Sequence, residues 1–87
     1  MLPEQGAPVN ISATGNVINM QGALLGFYVN STSTGTLILY DSATTTTTTA
    51  LSGTITPAIG FHRFPAGFAN GLYAVIANTL NVTFFVS

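Results

Sequence analysis

Short apolar runs separated by turn-forming residues recur along most of this chain. The runs are rich in Val, Ile, Thr, Phe and Tyr, which favour strands, while good helix formers such as Lys, Glu, Gln and Arg are almost absent. Glycine, asparagine and proline interrupt the runs at short intervals. We predict strands at VNISA (9–13), NVINMQ (16–21), ALLGFYVN (23–30), GTLILYD (35–41), TALSGTI (49–55), FHRFP (61–65), LYAVIAN (72–78) and NVTFFVS (81–87).

This pattern predicts an all-β fold, a small antiparallel β-sandwich or barrel of about six to eight short strands. Residues 1–10 hold Pro3, Gly6 and Pro8 without an apolar period, so we expect an extended N-terminal arm there. The arm is either a frayed terminus or a segment that orders against a neighbouring subunit. Residues 11–87 are expected to form a single β domain.

Four of the predicted strands are apolar on both faces, whereas an antiparallel strand with one solvated face alternates apolar and polar residues. In 23–30, Leu24 and Tyr28 oppose Leu25, Phe27 and Val29, and the strands 35–41, 72–78 and 81–87 behave similarly. One face builds the core, and the second is either an interface or covered by loops. The candidate interface residues are Leu24, Tyr28, Ile38, Tyr40, Arg63, Tyr73 and Phe85.

Charge is scarce, because Glu4, Asp41 and Arg63 are the only charged side chains among 87 residues. Soluble domains are about 25% charged, against 3% here, so we expect much of the surface to be hidden in an assembly. A single cation cannot neutralise a run of phosphates or an anionic bilayer, so we expect no nucleic-acid partner and no membrane partner. The first ten residues do not resemble a signal peptide.

The residues that carry chemistry form no recognisable active site. The single histidine, His62, stands beside Arg63 in an apolar strand, and neither acidic residue has a diagnostic spacing to it. There is no cysteine and no glycine-rich phosphate loop. We therefore predict a protein that is not an enzyme, with no catalytic residues, no metal site and no cofactor.

Three smaller features have ordinary structural interpretations. Asp41 follows a strand and precedes Ser42, a place where aspartate usually caps the local turn by bonding to its own stretch of backbone. The threonine run 44–49 is either a hairpin tip or a flexible loop. Arg63 either pairs with Asp41 or with a carboxylate of another protein, or it remains a solvated charge.

The order of segments GALLGFYVN (22–30), GTLILYDS (35–42), FPAGFANGLYAVIAN (64–78) and NVTFFVS (81–87) resembles small β-rich structural proteins of tailed bacteriophages, among them capsid cement or decoration proteins. The resemblance covers roughly residues 15–87. It implies a virion protein on the outer capsid surface, made in the host cytoplasm without a signal peptide. It also implies a homo-oligomer, with a trimer favoured, that bridges and stabilises subunits of the major capsid protein.

Two other functions remain open from the sequence. A fibre, tail or neck component would also be an oligomeric β protein, present in fewer copies per virion. A carbohydrate-binding β module would need exposed aromatic residues on one face, for which Tyr28, Tyr40 and Tyr73 are available.

Overall fold

A computed structural model describes residues 7–87 as one antiparallel sheet of five strands. The strands are β1 (Ala7–Ile11), β2 (Gly15–Ile18), β3 (Gly22–Asp41), β4 (Gly60–Phe68) and β5 (Leu72–Val86). The order across the sheet is β1-β5-β3-β4, and β2 pairs with β5 beyond the end of β1. The predicted all-β, antiparallel class is confirmed.

Two long strands form the centre of the sheet. β3 has 20 residues and β5 has 15, and they pair from Leu24–Val86 to Asp41–Leu72. A straight strand as long as β3 would span roughly 66 Å, whereas the longest dimension of the molecule is 31 Å. The central strands therefore bend strongly, and the sheet curves over on itself.

The bend lies where register shifts interrupt the β3–β5 ladder, between Val29 and Ser31 and between Ser33 and Thr34. Thr34 has φ of 54° and Asn78 has φ of 60°, both in the left-handed region. The Asn78 side-chain amide donates to the Thr34 carbonyl oxygen at 2.8 Å, which ties the two strands together at the bend. We call residues 30–36 of β3 and 77–81 of β5 the corner.

The division into strands differs from the sequence prediction at this corner. The predicted strands 23–30 and 35–41 are the two halves of β3, and 72–78 and 81–87 are largely the two halves of β5. Asn30 to Gly35 and Asn78 are turn-forming types, but here they bend continuous strands through bulges. The predicted strand 49–55 contributes only isolated bridges, Leu37–Ile55 and Tyr40–Ala50.

The predicted N-terminal arm is partly a strand. Residues 7–10 belong to β1, which pairs with the last residues of β5 from Ala7–Val86 to Ile11–Val82. Residues 1–6 of the predicted arm lie outside the described residues.

One hydrophobic core joins both sides of the corner. Before it, Phe27, Val29 and Phe84 are buried, and after it Leu37, Leu39 and Leu72 are buried in the same cluster. The inner face of the curved sheet therefore forms the core of the domain, and its outer face is available for other contacts.

Candidate interaction surface

An aromatic group lies on the outer face of the sheet where β5, β3 and β4 run side by side. Tyr28 pairs with Phe61 on β4 and with Thr83 on β5, and Gly26 pairs with Arg63 and with Phe85. Side chains of neighbouring pairs share a face because strand residues alternate. We call Tyr28, Phe61, Arg63 and Phe85 the aromatic face.

Gly26 gives this face its shape. A Cβ at Gly26 would lie 2.8 Å from Cζ of Phe61 and 2.6 Å from the His62 carbonyl oxygen. The Phe61 ring therefore lies over the glycine, and its centroid is 6.1 Å from that of Phe85. The two rings pack together at the surface at a distance typical of aromatic pairs.

The aromatic face is open to solvent in the isolated chain. Phe61 is 57% exposed and Tyr28 is 42% exposed, while Phe85 is half-buried and Arg63 is exposed. Ile59, at 63% exposed, lies two residues before Phe61 in the preceding loop. Large exposed apolar side chains that adjoin one another mark an interaction surface more strongly than scattered ones.

A ladder of polar side chains borders the aromatic face. Asn10 donates to the side-chain oxygens of Asn81 and Thr83 at 2.8 and 3.0 Å. Asn30 donates to the same two oxygens at 3.1 and 2.9 Å. We call Asn10, Asn30, Asn81 and Thr83 the amide ladder. It crosses β1, β5 and β3 and is held by its own hydrogen bonds.

A second group of predicted residues lies beyond the corner. Ile38 pairs with Val75, and Tyr40 pairs with Tyr73, with their ring centroids 6.3 Å apart. Ile38 and Tyr40 are half-buried, whereas Tyr73 is buried at 9% exposed, so its prediction as an interface residue is wrong. The predicted interface residues thus fall into two groups, of which the aromatic face is the more exposed.

Leu24 was assigned to the wrong face. It is 1% exposed and belongs to the core together with Phe27 and Val29, whereas Leu25 is half-buried. The register shift between Leu24 and Gly26 adds a residue to β3 and reverses the alternation before it. Leu24 is therefore removed from the candidate interface.

Phe61 was absent from the predicted interface residues, although a signal for it was present. It stands two residues before Arg63 in the predicted strand 61–65 and hence on the same face. Its pairing with Tyr28 depends on the register between β3 and β4, which spacing alone does not give.

Asp41 holds a turn, but not the local turn at Asp41-Ser42 that the sequence predicted; its carboxylate binds a turn in a distant part of the chain. Its carboxylate accepts hydrogen bonds from the backbone N–H groups of Ala69 at 3.0 Å and Asn70 at 2.9 Å, with Gly71 at 3.4 Å. These donors stabilise the charged form and hold the pKa of the Asp41 carboxyl below its usual range. The carboxylate thus fixes the connection between β4 and β5.

The threonine run lines a polar cleft beside Asp41. The cleft has a volume of about 290 Å³ and is lined by Asp41, Ser42, Ala43, Thr44, Thr46, Thr48, Thr49 and Asn70. Ser42 Oγ accepts hydrogen bonds from the backbone N–H groups of Thr44 and Thr46, so the loop is organised from its first residue. The run forms a loop with no regular strand.

His62 faces the interior side of β4. Its ring centroid is 5.3 Å from that of Phe27, and its Nε2 donates to the Ala58 carbonyl oxygen at 2.8 Å. His62 therefore anchors the loop before β4 to the strand, a structural role. Within residues 7–87 no group of three His, Cys, Asp or Glu side chains lies close enough together to hold a metal ion.

Comparison with protein-family models, with curated proteins and with solved structures found no match to this chain. In the part of the chain that the structure describes, no helix is long and apolar enough to cross a membrane.

Proposed function

We propose that this chain is a non-enzymatic structural protein of a virion, a capsid cement or decoration protein. It forms a homo-oligomer on the outer capsid surface and stabilises the capsid by bridging subunits of the major capsid protein. The observation that carries the proposal is the exposed aromatic face on a chain with only three charged side chains.

A cement protein needs buried area rather than chemistry. Apolar burial contributes about 25 cal/mol per Å² before the costs of association are subtracted. Tyr28, Phe61 and Ile59 offer apolar area that the isolated chain leaves in water. Many copies on one lattice also bind multivalently, so a modest contact per copy suffices.

The two outer groups suit a protein with two kinds of neighbour. The aromatic face lies before the corner, and Ile38 with Tyr40 lies after it, on the other half of the same bent strand. A decoration protein contacts both its own copies and the capsid. Two apolar groups on differently directed parts of one sheet support both contacts at once.

The test is made on capsids of the phage that encodes this chain. Capsids with the protein should contain many copies in a fixed ratio to the major capsid protein and should resist heating better than capsids without it. Equal heat resistance of the two capsid preparations would refute the cement function. A few copies per particle, measured by quantitative mass spectrometry, would instead indicate a fibre, tail or neck component.

A carbohydrate-binding module is the second candidate, and the amide ladder is the observation that favours it. Tyr28 pairs directly with Thr83, and the amides of Asn10 and Asn30 lie alongside. Stacking rings beside amides are suited to sugar hydroxyls and sugar faces. A glycan array separates the two functions: binding that is lost in Tyr28→Ala favours this candidate, and an array without hits removes it.

A further inference from the structure

The only cation of the sequence lies within its most exposed apolar surface. Arg63 is exposed on the outer face of β4 and pairs across the ladder with Gly26, which has no side chain. Phe61 is on the same face two residues earlier, and its ring covers Gly26. Any protein that covers the two rings therefore also covers the guanidinium or its immediate surroundings.

Covering an arginine is unfavourable unless its charge is matched. A buried, unpaired charge loses its hydration without compensation. Arginine is nevertheless enriched in interfaces, because its planar fork binds a carboxylate through two parallel hydrogen bonds. We therefore expect a surface that covers the aromatic face to be apolar and to present a carboxylate.

Within residues 7–87, this chain offers little that could pair with the Arg63 of another copy. Asp41 is the only acidic side chain in residues 7–87, and it is engaged by the N–H groups of Ala69 and Asn70. It stands at the last residue of β3, while Arg63 pairs near the start of that strand. Two copies docked face to face would also bring one Arg63 towards the other, which is repulsive.

We propose that the aromatic face docks on a different protein, on an apolar surface that presents an Asp or Glu carboxylate to Arg63. The inference deepens the proposed function and rests on it, because that partner is then the major capsid protein. The rings supply the apolar contact, and Arg63 fixes the orientation in which the chain binds. The second outer group, Ile38 and Tyr40, is then free to contact other copies of this chain.

The chain's composition allows a direct test of this pairing. The sequence contains no lysine, so Arg63→Lys introduces the only side-chain amine. A carbodiimide joins an amine to a carboxylate only where the two groups are in contact. Capsids of the encoding phage carrying the Arg63→Lys chain are treated with the carbodiimide, and the linked peptides are identified by mass spectrometry. Thr54→Lys, at an exposed loop position, is the matched control.

The expected product links position 63 to an Asp or Glu of the major capsid protein, with no such product from the Thr54→Lys control. A link from position 63 to a carboxylate of another copy of this chain would overturn the inference. So would equal yields of capsid links from positions 63 and 54.

Binding by charge-reversed variants gives a second readout. Arg63→Glu should lower capsid occupancy at least about tenfold, because two carboxylates would then face each other, whereas Thr54→Glu should leave it unchanged. If Arg63→Glu binds as well as the wild-type chain, the inference fails while the proposed function stands. If the wild-type chain itself is absent from the capsids, the proposed function fails and the inference fails with it.

Discussion

At the scale of single residues, one of the few charged side chains of this chain has a specific structural role. Asp41 is one of two acidic residues in the sequence, and its carboxylate accepts hydrogen bonds from the backbone N–H groups of Ala69 and Asn70 in the connection between β4 and β5. A carboxylate accepts such bonds better than a neutral amide does. Its loss should therefore weaken the β4–β5 connection.

We expect Asp41→Asn to lower the melting temperature by a few degrees at neutral pH, because half of the amide head is a donor facing backbone donors. The wild-type stabilisation depends on pH in a defined direction. The backbone N–H group of Ala69 foremost lowers the folded-state pKa of Asp41, so its contribution is complete above the unfolded value of about 3.9 and is lost as the pH falls further.

Thermal unfolding followed by circular dichroism between pH 7 and pH 2 checks this prediction. The difference between wild-type and Asp41→Asn chains should shrink as the solution is acidified below about pH 4. A difference that is constant across this range would show that the carboxylate charge does not stabilise the turn. Thr54→Asn, at an exposed position in the loop, serves as the control for the substitution itself.

Gly26 is a second residue whose identity the structure explains. A Cβ at this position would lie 2.6 Å from the His62 carbonyl oxygen and 2.8 Å from the Phe61 ring. We expect Gly26→Ala to reduce the free energy of unfolding by about 1–3 kcal/mol, since β4 and the Phe61 ring must move. Gly67→Ala on the neighbouring strand is the control, because a Cβ there meets nothing within 4 Å.

Denaturant unfolding of both glycine variants measures the effect. If Gly26→Ala were as stable as Gly67→Ala, the close packing of Phe61 on β3 would be wrong. Loss of stability in Gly26→Ala alone would support the preorganised shape of the aromatic face.

At the scale of elements, the sequence predicted the faces of the strands wherever the alternation is regular. Leu37 and Leu39 are buried and oppose Ile38 and Tyr40, and Val82, Phe84 and Val86 are buried as one face of β5. The prediction failed for Leu24, because a single bulge reverses the alternation and leaves no mark in the residue types. Register is a property of two strands, so spacing within one of them could not reveal it.

The corner also could not be predicted from the sequence. Asn30, Gly35 and Asn78 have the preferences of turn residues, and a turn that ends a strand cannot be distinguished by composition from a bulge that bends it. Gly35 is required in the bend because a Cβ there would overlap the Thr79 carbonyl oxygen. The chain stays extended on both sides of the corner because β3 and β5 remain paired there. This pairing joins residues far apart in the sequence, so local residue preferences do not reveal it.

The corner leads to a prediction at the same scale. Thr34 has φ of 54°, a conformation that disfavours a β-branched residue and that asparagine tolerates. We expect Thr34→Asn to raise the free energy of unfolding by up to about 1 kcal/mol. Thr36→Asn, two residues later in the regular ladder, should instead lower it by about 0.5–1 kcal/mol, since asparagine is a poor strand residue.

Equilibrium unfolding in denaturant measures whether the two variants change the free energy of unfolding in opposite directions. Destabilisation by both variants would mean that residue 34 does not occupy the left-handed region in solution. Stabilisation by Thr34→Asn alone would locate the strain of the sheet at its corner.

At the scale of the whole molecule, the near absence of charge and the curvature of the sheet have a joint consequence. Bending buries the inner face of both long strands in one core and directs the outer face in more than one direction. An outer face with few charges has little electrostatic attraction to distant partners. Association should then depend on short-range apolar contact, with Arg63 acting only once the surfaces meet.

The proposed binding to capsids should therefore be nearly independent of ionic strength. Exposed charges are screened over about 10 Å at 0.1 M salt, but a pair covered by apolar side chains is screened much less, and apolar contact is not weakened by salt. Occupancy measured by co-sedimentation should therefore change less than about twofold between 0.05 and 1 M NaCl. A chain whose surface were steered by charge would be released over this range, and such release would contradict an interface built on the Tyr28, Phe61 and Phe85 rings. The variant Phe61→Ser should reduce occupancy equally at both salt concentrations, because the contact it removes carries no charge.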